Sequence, residues 1–325
     1  MIIDKTCAII QPTHSGGQLS PQNMSWTNDS FRMLSKQFNA PCYHIGEGKN
    51  IPLNKDFYIL CSFDITIIQK EIEFVNEVHK NGGKVLSGFS QDLRFLNGGA
   101  LLNHQGYLYT DLCEVSDAVS SGINPEMKVY GRFQNKVIPL GEIIEDINWS
   151  TPFEQKEYDL IACGAASEYA LSFQLEFLLL AKQRHPDHRI ACVIAGQHLP
   201  LIETLRKKYP QLEFPMNPQK NPNLLSYIKE TKVYANTEIR PRPCRTAMEA
   251  YYCRVPFISS GMTYHSRMCP DYAYYWTDIV DMVDKYDLIL SRDRNEIIKD
   301  MEEKAKYDMF DNFYKRITDK FGWTS

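Results

Sequence analysis

Tyr158-Asp159-Leu160-Ile161-Ala162-Cys163, then Gly164-Ala165-Ala166-Ser167, then an apolar helical run over residues 171–182, is the stretch that decides the fold. Six mostly apolar residues read as a buried strand, the four small residues as a turn, and the next segment as a helix that returns along the strand. Strand, glycine turn and helix together open a parallel α/β unit. Downstream the pattern continues with strands expected at 190–195 and 232–236, a helix at 245–253 and a strand at 256–260.

The first half follows the same plan. A strand is expected at 6–10, then a polar loop holding Gly16 and Gly17, then a helical pattern through Trp26, Phe31, Leu34 and Phe38. A second strand covers 57–61, a helix 65–79 ends at Gly82-Gly83, and a third strand runs over 84–89. The acidic, polar stretch 142–157 lacks apolar periodicity and marks a boundary. Residues 1–148 are therefore expected as one Rossmann-like domain and 157–294 as another. The tail 295–325 is expected to hold one long helix, about 295–321, that packs back on the first domain. Doubly wound sheets bind ligands beyond the carboxyl ends of their strands, so the loops after Ile10, Phe89, Cys163, Asn236 and Ser260 are the places to search.

Composition narrows the function classes. Of 325 residues, 43% are hydrophobic and 23% charged, which is ordinary for a folded globular chain. The N-terminus carries Asp4 where a secretory signal would be basic, and its apolar run stops by Ile10, so no membrane association and a cytoplasmic location are expected. Nine scattered cysteines without Cys-x-x-Cys spacing read as buried reduced thiols. His185 and His188 flank Pro186, which breaks the helical face a metal pair would share, so no metal site is assigned. A formal charge of -4 argues against nonspecific coating of nucleic acid. Residues 229–267 nevertheless hold seven Lys or Arg against three Glu, a local basic segment.

That segment contains Asn236-Thr237-Glu238-Ile239-Arg240-Pro241-Arg242-Pro243-Cys244-Arg245-Thr246-Ala247-Met248-Glu249-Ala250. A strand ends in arginines and prolines and a helix begins at about Arg245. Guanidinium groups beside free helix N–H groups suit a diphosphate, and Glu249, one turn inside, can accept hydrogen bonds from vicinal ribose hydroxyls. The alternatives are surface charge for the arginines and, for Glu249, an ion pair on a solvated helix. Met248-Glu249-Ala250 with Arg254-Val255-Pro256-Phe257-Ile258-Ser259-Ser260 resembles the donor signature of GT-B glycosyltransferases, with Pro241 where that pattern carries a second Glu. The resemblance implies an α/β GT-B fold: two Rossmann-like doubly wound domains facing an interdomain cleft.

Several short segments, in order, resemble the β-glucosyltransferases that phages use on 5-hydroxymethylcytosine in DNA. They are Phe89-Ser90-Gln91-Asp92-Leu93-Arg94, Gly106-Tyr107-Leu108-Tyr109-Thr110, Ser121-Gly122-Ile123-Asn124-Pro125-Glu126, the strand at 158–161 with Gly164, and His265-Ser266-Arg267 before Asp271-Tyr272-Ala273-Tyr274-Tyr275. Arg245 and Glu249 are similar to that family's ribose-helix pair, spaced one residue wider. Residues 167–172 lack the family's phosphate-binding arginines.

The resemblance implies sugar transfer from a UDP-sugar, with inversion, to the hydroxymethyl group of the base. Asp92 would be the general base, with a helix N-cap as its alternative role. Gly164, Arg240, Arg242, Arg245 and Glu249 would bind the donor, and Gly16, Gly17, Arg94 and Tyr107 the acceptor. The implied partners are the nucleotide-sugar and double-stranded DNA with hydroxymethylated cytosine, in an infected bacterial host. A monomer is expected, with no tightly bound cofactor and Mg2+ or Mn2+ only as a companion of the diphosphate. A polysaccharide acceptor and a noncatalytic nucleotide-sugar or DNA-binding module are the competing readings.

Overall fold

The computed structural model describes residues 5–11, 35, 38–45, 51–61, 67–89, 109–121, 131–139, 151–163, 168–194, 200–216, 224–238, 245–263, 265–266, 269–305 and 310–323. They form two compact units, Met1–Glu145 with Asp308–Ser325, and Asp146–Tyr307. The helical pattern expected through Trp26, Phe31 and Leu34 lies outside the described residues.

The first unit is built on six parallel strands: β1 (Cys7–Gln11), β2 (Cys42–His44), β3 (Phe57–Cys61), β4 (Lys84–Phe89), β5 (Ala118–Ser121) and β6 (Val137–Pro139). Their order across the sheet is β2-β1-β3-β4-β5-β6. Alternation along the strands sends neighbouring side chains to opposite faces, and both faces are apolar. Ala8, Ile10, Tyr58, Leu60, Val85 and Val119 pack with Ile68, Phe74, Val75 and Val78 of helix α1 (Ile68–Lys80) and with Leu112 and Cys113 of α2 (Tyr109–Val115). Cys7, Ile9, Phe57, Ile59, Leu86, Ala118 and Ile138 form the opposite core.

Helix α1 ends as its sequence requires. The Gly83 N–H reaches Val78 O at 3.1 Å and the Gly82 N–H reaches His79 O at 3.0 Å, the paired bonds of a Schellman closure. Gly82 has φ +78°, and a Cβ on Gly83 would lie 2.8 Å from Val78 Cγ1, so each position calls for glycine for a different reason.

The second unit repeats the plan with β7 (Tyr158–Cys163), β8 (Ile190–Cys192), β9 (Thr231–Asn236), β10 (Phe257–Ser260) and β11 (Tyr275–Trp276). The strands, all parallel, run β11-β10-β9-β7-β8. In each unit, then, the second strand lies on one side of the first and the third on the other, and the order reverses at β1/β3 and at β7/β9. Its helices are α3 (Glu168–Arg184), α4 (Ile202–Lys208), α5 (Leu224–Lys229), α6 (Arg245–Tyr252), α7 (Ile279–Ser291) and α8 (Arg294–Lys304).

At the amino edge of this sheet the Lys156 ammonium, with its pKa pushed down to about 8 by burial, caps α5 through Lys229 O at 2.6 Å. Phe153 is covered there by the Arg294 guanidinium at 3.8 Å. His185 and His188 stack on each other at 4.7 Å and bond to Asp287 and Tyr286 of α7, so the pair ties two helices together. Cys7, Cys42, Cys113, Cys163, Cys192, Cys253 and Cys269 are free, and all of these but Cys42 are buried. Burial pushes the thiols of Cys113, Cys192 and Cys269 up to about 12, which keeps them protonated.

The tail departs from expectation. In place of one helix over 295–321 there are two, α8 and α9 (Phe310–Phe321), and α8 belongs to the second unit while α9 belongs to the first. Asp293 caps α8 through the N–H groups of Asn295 and Glu296. Ile317 of α9 is fully buried against Phe57, Ile59, Leu86, Ala118 and Ile138. Trp323 lies on Phe57 at 4.9 Å, and Lys320 Nζ donates to Asn135 O at 2.6 Å. Ile317→Ala should destabilise the first unit by about 2–5 kcal/mol, read as a lowered midpoint in urea denaturation, whereas a loss under about 0.5 kcal/mol would show that α9 adds nothing to that core.

Candidate functional site

The carboxyl ends of β7 and β9, where the second sheet reverses its order, carry a connected set of buried polar side chains. Gln174 of α3 is fully buried, and its Nε2 donates to Ala162 O of β7 at 3.0 Å and to Val193 O, just past β8, at 2.9 Å. Its Oε1 accepts from Thr237 Oγ1 at 3.1 Å, and the Thr237 N–H bonds Cys163 O at 3.2 Å. One amide therefore joins three strand ends. Burial of such a group is tolerated because both of its polar atoms are bonded.

Asn236, the last residue of β9, does the same for the segment that follows. Its Oδ1 accepts the Glu238 N–H at 2.8 Å, its Nδ2 donates to Thr246 Oγ1 at 2.7 Å, and its carbonyl accepts the Trp276 indole N–H at 3.0 Å. Trp276 in turn stacks on Phe173 of α3 at 5.0 Å. The start of α6 is thus tied to the end of β9. Glu249 lies on α6 one turn past Thr246 and is 5% exposed, and Glu238 is 6% exposed. Both carboxylates are buried, and a buried charge needs a partner.

The loop after β10 is equally ordered. Ser260 Oγ accepts the Met262 N–H at 3.0 Å, Thr263 Oγ1 donates to Ser260 O at 2.9 Å, and the Gly261 N–H bonds Trp276 O at 2.9 Å. Behind it His265 is buried, with Nδ1 2.8 Å from Tyr275 Oη and Nε2 3.2 Å from Ala305 O. Since Ala305 O can only accept, Nε2 carries the proton and Nδ1 accepts from the tyrosine. Burial holds the imidazole neutral, with its pKa lowered to about 4.

Of the expected site residues, Glu249 is described in full and Arg245 as the first residue of α6, at the edge where the donor was expected. Asp92, Gly16, Gly17, Arg94, Tyr107, Gly164, Arg240 and Arg242 lie outside the described residues. Gln174 and Trp276 have no role in the sequence reading, and Asn236 and Thr237 enter it only as the opening of the donor segment. A signal existed for Gln174, a lone amide among Phe173, Leu175, Phe177 and Leu178 on a buried helix. Among the described residues no group of three or more His, Cys, Asp or Glu side chains could hold a metal ion, and no helix is long and apolar enough to cross a membrane.

No protein-family model matches the sequence, and no curated protein matches it. Solved structures do match. HepE of Anabaena in complex with UDP superposes with a TM-score of 0.63 at 9% identity, over 98% of this chain and 99% of HepE. A TarM mutant of S. aureus, in complex with fondaparinux, alpha-GlcNAc-glycerol and UDP, gives 0.56 at 11% identity, over 81% of this chain and 55% of TarM. An O-GlcNAc transferase mutant of Thermobaculum terrenum gives 0.55 at 11% identity, over 98% of this chain and 67% of the transferase. The chain thus spans nearly all of HepE and about half of TarM. At such identities the likeness is one of fold: two parallel-sheet α/β units of the GT-B type.

The neutral His265 makes stability depend on pH in a defined window. Its pKa is about 6.5 in the unfolded chain and about 4 in the fold, so the unfolded state binds the proton first as pH falls. Stability from this group is complete above about pH 6.5 and should decline, by roughly 3 kcal/mol in all, by about pH 4. Urea denaturation between these values should show the decline in the native protein and a much flatter profile in His265→Asn. An equally steep profile in the variant would assign the acid sensitivity to other groups.

Proposed function

We propose that the chain is a glycosyltransferase that takes a sugar from a UDP-sugar and places it on the hydroxymethyl group of 5-hydroxymethylcytosine in duplex phage DNA, in the cytoplasm of the infected bacterium. The observation that carries the donor half is buried Glu249 on a helix whose start is tied to the end of β9, in a fold shared with UDP-bound HepE; in the sequence that helix follows a segment with Arg240, Arg242 and Arg245. The ordered resemblance of Asp92, Arg94, Tyr107 and their neighbouring segments to the phage DNA glucosyltransferases supports the acceptor half.

In this reading Glu249 accepts hydrogen bonds from the ribose hydroxyls, and the arginines with Gly164 hold the diphosphate. The acceptor hydroxyl oxygen forms a bond to the anomeric carbon while the bond from that carbon to the diphosphate oxygen breaks. UDP leaves with the electron pair, Asp92 takes the hydroxyl proton, and the anomeric centre inverts. Positive side chains offset the charge that gathers on the leaving group. The target base must leave the stack to reach the sugar, and Gly16, Gly17, Arg94 and Tyr107 are assigned to that side. Mg2+ or Mn2+, where used, arrives on the diphosphate.

A second reading is favoured by the molecules bound to TarM, fondaparinux and alpha-GlcNAc-glycerol: the acceptor is a glycan, and DNA is inert. Incubation with hydroxymethylated DNA and a panel of UDP-sugars should add one sugar mass to the released nucleoside, with a rate that falls steeply as salt rises. Turnover only with glycan acceptors would move the assignment to the second reading, and UDP binding without turnover on any acceptor would leave a noncatalytic module. Asp92→Ala should lower kcat at least about 100-fold while UDP affinity stays within about twofold. Glu249→Ala should raise the donor KM about tenfold, and an unchanged KM would count against the ribose role.

A further inference from the structure

Asn236 is buried at 3% exposure, and each of its polar groups is bonded to a different part of the chain. The Glu238 N–H and the Thr246 hydroxyl stand two and ten residues beyond it. A single side chain therefore holds both ends of the stretch that runs from β9 into α6. The indole of Trp276 fixes the backbone of the same residue from β11, and Gln174 fixes Thr237 from α3. A strand end needs none of these bonds to pair, since Asn236 already faces Cys163 in the β7 ladder.

We infer that Asn236 is a positioning residue for nucleoside diphosphate binding, acting through Thr246 to set the height and rotation of α6 and with it Glu249. This role rests on the donor site proposed above. The physical case is one of preorganisation. A helix that must present a carboxylate and its first N–H groups to a ligand loses affinity if it can slide or rotate, because fixing it then falls to the ligand. The bond from Asn236 Nδ2 to Thr246 Oγ1, 2.7 Å long, opposes that freedom beforehand, because a slid or rotated helix would have to break it.

The test is a mutant cycle on the full chain, read by calorimetric titration with UDP and by thermal unfolding. Asn236→Ala and Thr246→Val should each weaken UDP binding about tenfold. The double variant should be no weaker than the worse single one, since both remove the same bond. Thr246→Ser, which keeps the hydroxyl, should bind within about twofold of the native protein. With a substrate in hand, the loss should appear in the donor KM and not in kcat. A folded Asn236→Ala with native UDP affinity, or losses that multiply in the double variant, would overturn the role. Should Asn236→Ala fail to fold, Thr246→Val decides: native affinity there overturns it as well. Absence of UDP binding by the native protein would instead remove the donor site and this role with it, an outcome distinct from binding that ignores the two residues.

Discussion

A parallel sheet must bury both of its faces, because each crossover lays a helix against one of them. That constraint shapes every strand here. Phe57 and Ile59 point into one core of the first unit and Tyr58 and Leu60 into the other, so neither face can be polar. It also recruits the end of the chain. Ile317, Phe321 and Trp323 complete the core around Phe57, a face that residues 1–145 alone would leave without these three side chains.

With both faces largely apolar, the buried amides that join elements of the second unit lie at the strand ends. In the second unit the two ends are used differently. The amino edge is occupied by contacts that hold the fold, such as the Lys156 cap on α5 and the Arg294–Phe153 stack. The carboxyl edge carries side chains whose bonds fix loops relative to strands: Gln174 across β7, β8 and Thr237, and Asn236 between β9 and α6. Buried amides cost free energy unless satisfied, and all four of their polar atoms are bonded within one neighbourhood. Such a network ties Thr237, Glu238 and the start of α6 to the strand ends at the reversal point, where open α/β sheets bind their ligands.

How much could be read in advance follows from segment length. Of the strands with five or six apolar residues, 57–61, 84–89 and 158–163 have the expected bounds and the first is shifted by one, whereas the strand expected over 190–195 ends at Cys192. Short edge strands were not legible. Cys42–His44 and Tyr275–Trp276 are too brief for any period to show, and they exist because a neighbour supplies hydrogen bonds. Helix α7 was passed over for another reason. It buries Met282, Val283, Tyr286 and Ile289 but leaves Val280, Leu288 and Leu290 exposed, so its apolar residues do not define one face.

The sequence by itself determined the alternation of strand and helix, the glycine-closed end of α1, and the place of Glu249 one turn into a helix that follows a strand, because each depends on residues within a few positions of one another. The strand order, the division of the tail between α8 and α9, and the bonds that join Asn236 to Thr246 and Gln174 to Thr237 were decided by tertiary structure alone. Those features depend on which elements become neighbours, and residues 63 positions apart, as Gln174 and Thr237 are, leave no local pattern that would pair them.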